Sequence, residues 1–167
     1  MDLAEKVLKA ERVLKLSAEM SRTYYEAPLI LAYSGGKDSS VMLDLAEKVL
    51  KSDEFEVLNA HTSVDFPETV YFIRGEFERL NQKGIQATVY YPRYKDGIQK
   101  TMWNLIEKRH SVCTRTQRFC CAELKEISTP NRLCALGVRQ AESSGRQGRD
   151  TFGIRGGNER KSYVFFA

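Results

Sequence analysis

No apolar run in this 167-residue chain approaches the roughly 18 residues that a membrane-spanning helix needs, so no membrane partner is expected. The opening segment Met1-Asp2-Leu3-Ala4-Glu5-Lys6 is charged and lacks the apolar core of a secretory signal. A cytoplasmic protein is the expectation. Cysteine is sparse, with four residues, and in a reducing compartment metal or catalytic roles for them compete with plain burial. Histidine is scarcer: His61 and His110 have no ligand spacing, which argues against a histidine-held metal. Repeats, low-complexity tracts and linkers are absent, and the length suits a single domain over 1–167. Outside one stretch the charges sum to zero. Between Arg132 and Lys161 there are seven basic and three acidic residues, which accounts for the whole net charge of +4. The basic, glycine-rich part of it, 145–161, reads either as a loop facing an anion or as a solvated surface loop.

What is present alternates in period. Leu3, Val7, Ala10 and Leu14 recur at helical steps and predict an N-terminal helix over 2–24, inside an N-terminal region 1–26 that Pro28 ends. Leu29 to Tyr33 reads as a buried strand, followed by a helix with Val41, Met42, Leu45, Ala46, Val49 and Leu50 on one face. Phe55 to Ala60 reads as a second strand. Pro67 suits the first position of a helix carrying Val70, Ile73, Phe77 and Leu80, which Gly84 closes. Ile85 to Tyr91 is rich in strand formers, 98–109 and 115–127 read as helices, and Leu133 to Val138 and Tyr163 to Phe166 as further strands. Strands alternating with helices predict an α/β, Rossmann-like, doubly wound and mainly parallel sheet of about five strands with helices on both faces.

The densest chemistry lies in Ser34-Gly35-Gly36-Lys37-Asp38-Ser39-Ser40. Two glycines directly after a buried strand, opening a helix, let backbone N–H groups turn inward around an anion, and the helix adds its positive end. Ser34, Ser39 and Ser40 can donate hydroxyl hydrogen bonds, and Lys37 adds a compact charge. It is not a Walker A loop, because Leu31 stands where that pattern has its first glycine and Asp38 where it has Ser or Thr.

Ser34 to Ser40 resembles the PP-loop, SGGxDS, of the adenine-nucleotide alpha-hydrolase superfamily, and the wider chain resembles its phosphoadenosine phosphosulfate (PAPS) reductase family. His61-Thr62-Ser63-Val64-Asp65-Phe66-Pro67-Glu68-Thr69 is similar to that family's DTG…FPET stretch. Arg118-Phe119-Cys120-Cys121-Ala122-Glu123-Leu124-Lys125 is similar to its CCxxLK stretch, and Gly137-Val138-Arg139-Gln140-Ala141-Glu142-Ser143 with Arg146 to its GxRxxES…R segment. The resemblance implies a nucleotide lying over the carboxyl ends of the strands. Ser34, Gly35, Gly36, Lys37, Asp38, Ser39 and Ser40 would hold its phosphate side, with His61, Thr62, Gly137, Arg139 and Glu142 around it. Arg139 and Arg146 would neutralise phosphate or sulfate, a task that suits the guanidinium fork, and together with Lys37 and Asp38 they are the expected catalytic set. Asp38 alternatively helps place Mg²⁺.

The departures from the pattern matter equally. His61-Thr62-Ser63 stands where the family often has Asp before Thr-Gly, and Asp65 and Glu68 either supply the missing acid or simply favour a helix start. Thiol-dependent PAPS reductases use a cysteine in a C-terminal tail, whereas the sequence here ends Ser162-Tyr163-Val164-Phe165-Phe166-Ala167, and no CxxC follows Cys134. A shortened relative or a different chemistry is therefore expected. Cys113, Cys120, Cys121 and Cys134 are enough thiols for one iron–sulfur cluster, yet their spacing matches no standard cluster run and Cys134 reads most simply as core. Three functions follow. The first is ATP cleavage between the alpha and beta phosphates, adenylating an acceptor for sulfur transfer, with DNA phosphorothioation as one destination. The second is thiol-dependent reduction of PAPS or its unphosphorylated analogue. The third is a non-catalytic nucleotide-binding module. The corresponding partners are a sulfur-donor protein or thioredoxin-like reductant, a nucleic acid, and a second copy in a homo-oligomer. Tyr90, Tyr91, Tyr94 and Trp103, near Arg93, Lys95 and Lys100, either stack on bases or serve as core and rim aromatics.

Overall fold

The computed structural model describes residues 2–125, 129, 131–138, 151–155 and 161–166, the backbone alone for 154, 155 and 161–166. Helix α1 (Leu3–Tyr25) starts on a capping box in which Asp2 and Glu5 satisfy each other's backbone N–H groups. Its buried end is tied to the next strand, for the Ser21 hydroxyl donates to the carbonyls of Ala27 (2.9 Å) and Pro28 (3.2 Å). Then follow β1 (Leu29–Ala32), α2 (Lys37–Val49), β2 (Phe55–Ala60), α3 (Pro67–Gln82), β3 (Ala87–Tyr90), α4 (Met102–Arg109), a short π-helical turn (Cys121–Lys125), β4 (Leu133–Gly137), β5 (Phe152–Arg155) and β6 (Lys161–Phe166). As expected, α3 carries proline at its start, and Gly84 beyond its end is left-handed at φ +77°.

The sheet order is β3-β2-β1-β4-β6-β5, parallel throughout except for the antiparallel edge strand β5. From β1 the chain adds strands outward to β3, then returns to place β4 on the other side of β1. The topological switch therefore lies between β1 and β4. α1, α2 and α3 share one core with Leu29 and Leu31 of β1, which puts these helices on one face of the sheet. The main core joins Leu14 of α1, Leu29 and Leu31 of β1, Met42 and Ala46 of α2, and Phe77 and Leu80 of α3. Across the sheet, Ile30 and Cys134 centre a smaller cluster. Among the described residues no helix is long and apolar enough to cross a membrane.

Four expectations need correction. The segment 145–161 expected as a loop contains a strand: Phe152–Arg155 pairs with β6, bringing the sheet to six strands where about five were expected, and that edge pairing is not announced by local sequence. Val41 is exposed and Leu43 takes its place in the core, because the buried stripe of α2 runs Ser39, Met42, Leu43, Ala46. The helix expected from 98 begins only at Met102, after Thr101 caps it. The helix expected over 115–127 does not form at its start. There the Thr114 hydroxyl accepts from the Gln117 N–H (3.0 Å), and Thr114 N–H donates to the Gln117 carbonyl (3.2 Å), which closes a local turn instead.

Candidate active site

The loop between β1 and α2 runs over the carboxyl end of the sheet at the switch point. Gly35 turns it with φ +73°, a conformation that costs a side-chain-bearing residue roughly 1–2 kcal/mol. Its missing Cβ matters as well, since one there would sit 3.0 Å from Ile73 Cγ1 and 3.4 Å from Thr69 Cγ2. Gly36 is the N-cap of α2, extended at φ −84°, ψ 161°, with no side chain capping the helix. The N-terminus of a 13-residue helix is thus left without the usual Ser, Thr or Asp that would occupy its donors.

Serines lock this shape from within. The Ser39 and Ser40 hydroxyls donate back to the Gly36 carbonyl at 2.8 and 3.1 Å. Ser39 Oγ lies 3.2 Å from Ser34 Oγ and accepts from the Ser34 N–H at 3.3 Å. Tyr33, buried behind the loop, reaches Ser40 Oγ with its hydroxyl at 3.3 Å, and burial raises its pKa above the ordinary tyrosine value. Ser39 is buried, Ser34, Gly36 and Lys37 are exposed, and Asp38 lies half-buried in the first turn of α2. An open nest of N–H groups with the exposed Ser34 hydroxyl and one lysine suits a phosphate.

Gly137, at the end of β4, has a packing role of its own. A Cβ there would meet the Asp38 carbonyl oxygen at 2.9 Å and Ser39 N at 3.1 Å, so glycine lets the strand abut the first turn of α2. On the other side, Asn59 Nδ2 of β2 donates to the Tyr33 carbonyl at 2.8 Å. His61 follows β2, its ring 5.2 Å from that of Tyr91. Thr62 is buried, with its N–H (3.3 Å) and hydroxyl (2.5 Å) both directed to Asp65 Oδ2. Structure therefore brings Ser34 to Ser40 and Gly137 together, with His61 and Thr62 following the neighbouring strand. Arg139, Glu142 and Arg146 lie outside the described residues.

The cysteines do not converge. Among the described residues no group of three or more His, Cys, Asp or Glu side chains is arranged to hold a metal. Cys134 is buried on β4, and burial pushes its thiol up to about 12, with a hydrogen bond from Thr129 opposing. Cys113 packs 3.7 Å from the Met102 sulfur, and Cys121 lies 3.7 Å from an Arg118 guanidinium nitrogen. The expectation of a shared iron–sulfur cluster on these four thiols thus finds no assembled site, chiefly because Cys134 faces the core. What sequence reasoning missed is Tyr33 and its tie to Ser40: an apolar-looking strand end gave no signal that the phenol would point at the loop.

Two solved structures share the fold. The NH3-dependent NAD synthetase from Campylobacter jejuni subsp. jejuni NCTC 11168, in complex with the nitrate ion, superposes with a TM-score of 0.53 at 17% identity, over 85% of this chain and 59% of that one. The FMN adenylyltransferase of Candida glabrata in complex with ATP gives 0.50 at 14% identity, over 95% of this chain and 50% of that one. The chain thus spans between half and three-fifths of these structures' length. No curated protein matches the sequence. The family model for the phosphoadenosine phosphosulfate reductase domain matches residues 28–165, nearly everything from β1 onward, and the chain belongs to that family.

Proposed function

We propose that this chain is a PP-loop enzyme that binds ATP with its phosphates on Ser34–Ser40 and transfers the adenylyl group to an acceptor, as the activating step of a sulfur transfer. The observation that carries the reading is the uncapped N-terminus of α2, held open by Gly36 and braced by Ser39 and Ser40. In the step itself an acceptor oxygen attacks the alpha phosphorus, the bond to the bridging oxygen breaks, and pyrophosphate leaves with the electron pair while the acceptor's proton passes to solvent. The chain's part is to position and to neutralise. Backbone N–H groups and the Ser34 hydroxyl hold the departing phosphates, and Lys37 balances their growing charge. Asp38 would supply one hard oxygen to Mg²⁺ alongside the phosphates. Arg139 and Arg146, with Glu142 orienting one of them, complete the anion site in this reading.

Family membership favours a second reading, reduction of PAPS by an external thiol with release of sulfite. Calorimetric titration with ATP and with PAPS, followed by product analysis in Mg²⁺, separates the two. Pyrophosphate and AMP or an adenylated product support adenylation. Sulfite from PAPS with added thioredoxin, and no pyrophosphate, supports reduction; binding without turnover supports a module. Gly36→Val is the site control. Its backbone is permissive, the nearest atom to a new Cβ is Ser34 Oγ at 3.4 Å, and the fold should survive. Nucleotide binding should be abolished, and a folded variant with wild-type ATP affinity refutes the phosphate site.

A further inference from the structure

One face of α3 points away from the core. Ile73, Phe77 and Leu80 are its buried residues. At about 100° of turn per residue, Gly75 lies roughly 140–160° around the helix from those three, with Tyr71 and Phe72 roughly 40° and 60° to its two sides. This outer stripe is open to solvent: Tyr71 is 69% exposed and Phe72 54%, and Glu68, Gly75 and Glu78 are exposed with them. Adjacent exposed rings, unlike scattered ones, mark a contact surface. Gly75 points the same way. It falls in the middle of a 16-residue helix, where glycine is the least favourable residue after proline. Nothing within its own chain calls for it, since its φ is not left-handed and a Cβ built there meets no atom within 4 Å. A small residue between two exposed rings suits the close approach of another helix, because the side chains at a crossing set the distance between the axes.

The stripe is complementary to itself in one orientation. Helix α3 has Glu68 in its first turn and Arg79 in its last, with Lys83 at its C-cap. Two copies laid parallel would set Glu68 beside Glu68, whereas antiparallel copies bring opposite charges together. With the crossing at Gly75, mirror positions set Tyr71 against the partner's Glu78, Phe72 against the partner's Arg79 and Glu68 against the partner's Lys83, each to within one residue. Phenol to carboxylate, ring to guanidinium and carboxylate to ammonium are all favourable meetings. Arg79 and Lys83 keep their own pairs with Glu47; a guanidinium still has its flat faces and an ammonium its further N–H groups for the partner.

We propose that α3 is a dimerisation helix, packing antiparallel against α3 of a second copy about a two-fold axis at Gly75. The nucleotide loop meets α3 elsewhere, Gly35 lying beside Ile73 and Thr69, so the pairing leaves that loop open and stands apart from the ATP reading. Analytical ultracentrifugation across a dilution series tests it. The wild-type mass should rise with concentration toward twice the 19.1 kDa of one chain. Gly75→Leu, which has room within its own chain, should stay folded by circular dichroism and keep the single-chain mass throughout. Cysteine pairing then fixes the orientation, in a background carrying Cys113→Ser, Cys120→Ser and Cys121→Ser. Gly75→Cys should give a disulfide-linked dimer under glutathione disulfide, because the two-fold axis brings its copies together. Gln82→Cys should not. Seven positions from the axis on each side, its copies would lie about 21 Å apart along the helices, against the roughly 7 Å that a disulfide spans between Cα atoms. A wild type monomeric at every concentration leaves the face to a different occupant and overturns the proposal. A dimer that survives Gly75→Leu overturns it too, as does a Gly75→Cys protein that forms no crosslink. Gln82→Cys crosslinking as readily as Gly75→Cys means parallel helices and overturns the arrangement.

Discussion

The β1–α2 side and the α4 side of the molecule handle charge in opposite ways. In the loop between β1 and α2 the contacts of Ser34, Ser39 and Ser40 are neutral, made of hydroxyls, carbonyls and glycine backbone. The charges behind the loop are closed on themselves: Arg79 pairs with Glu47 and Glu76, and Lys83 with Glu47 at 2.8 Å. On the α4 side cations outnumber acids and lean on rings, with Glu123 shared between two of them. The difference teaches how much each side depends on a fixed shape. A nest of fixed N–H dipoles needs rigidity more than net charge, whereas cations held over rings by a non-directional attraction tolerate small movements.

Rigidity should therefore be costly to disturb on the first side and cheap on the second. Gly137→Ala places a methyl 2.9 Å from the Asp38 carbonyl oxygen and 3.0 Å from its carbon, backbone atoms that yield only if the start of α2 shifts. A loss of up to about 3 kcal/mol in unfolding free energy is expected, together with lost nucleotide binding. Gly97→Ala, in the 92–100 turn on the α4 side, meets nothing within 4 Å and suffers only its φ of +86°, worth about 1–2 kcal/mol. Urea denaturation of both checks the order, and a Gly97 variant that is the less stable of the two breaks the comparison.

The closed ion pairs behind the loop make the second prediction. Glu47 is held at about 2, below its usual 4.5, first by hydrogen bonding to Arg79 and then by Lys83, against the opposing effect of burial. A depressed carboxylate stabilises the fold fully above its unfolded pKa and loses that contribution as pH falls toward the folded value. Glu47→Gln should thus cost on the order of 2 kcal/mol at pH 7, discounted for the solvent that reaches Arg79, itself 37% exposed. The gap in melting temperature between wild type and variant should hold above about pH 5 and close on descent toward pH 2. A gap independent of pH across that window removes the ion pair as its cause.

Local chemistry was legible in the sequence and remote pairing was not. Ser34 to Ser40 announces its turn and the start of α2 because glycines, serines and helix start are all neighbours. The parallel order follows from alternating periods. By contrast, β5 exists through a partner strand, with Gly153 in its middle to weaken any local signal. Gly137 read as a nucleotide-binding residue from the resemblance, while its distance to Asp38 could be known only from the folded chain. Tyr94 meets Asn104 and Lys108 only because the 92–100 turn folds back onto α4, which local sequence does not show. Between Val41 and Leu43, helical spacing alone could not choose, since a shift of the stripe by one position keeps its period.

The smallest effect tests the finest link on the rigid side. Tyr33 is 3% exposed, stacks with Phe77 at 5.9 Å between ring centres, and spends its hydroxyl on Ser40, which in turn grips the Gly36 carbonyl. If that chain of contacts fixes the loop, removing one oxygen should be felt at the phosphates without loss of core volume. Tyr33→Phe keeps the ring and its packing. Its stability should fall by about 0.5–1.5 kcal/mol, the net worth of one hydrogen bond, and the 3.3 Å separation puts it at the low end of that range. ATP affinity should weaken a few-fold, and Ser40→Ala should weaken it similarly, with the double variant no worse than either alone, because both cut the same link. Additive losses in a calorimetric double-mutant cycle would mean that Tyr33 and Ser40 act separately. An unchanged affinity in Tyr33→Phe would confine the phenol to packing and leave the serines alone to shape the loop.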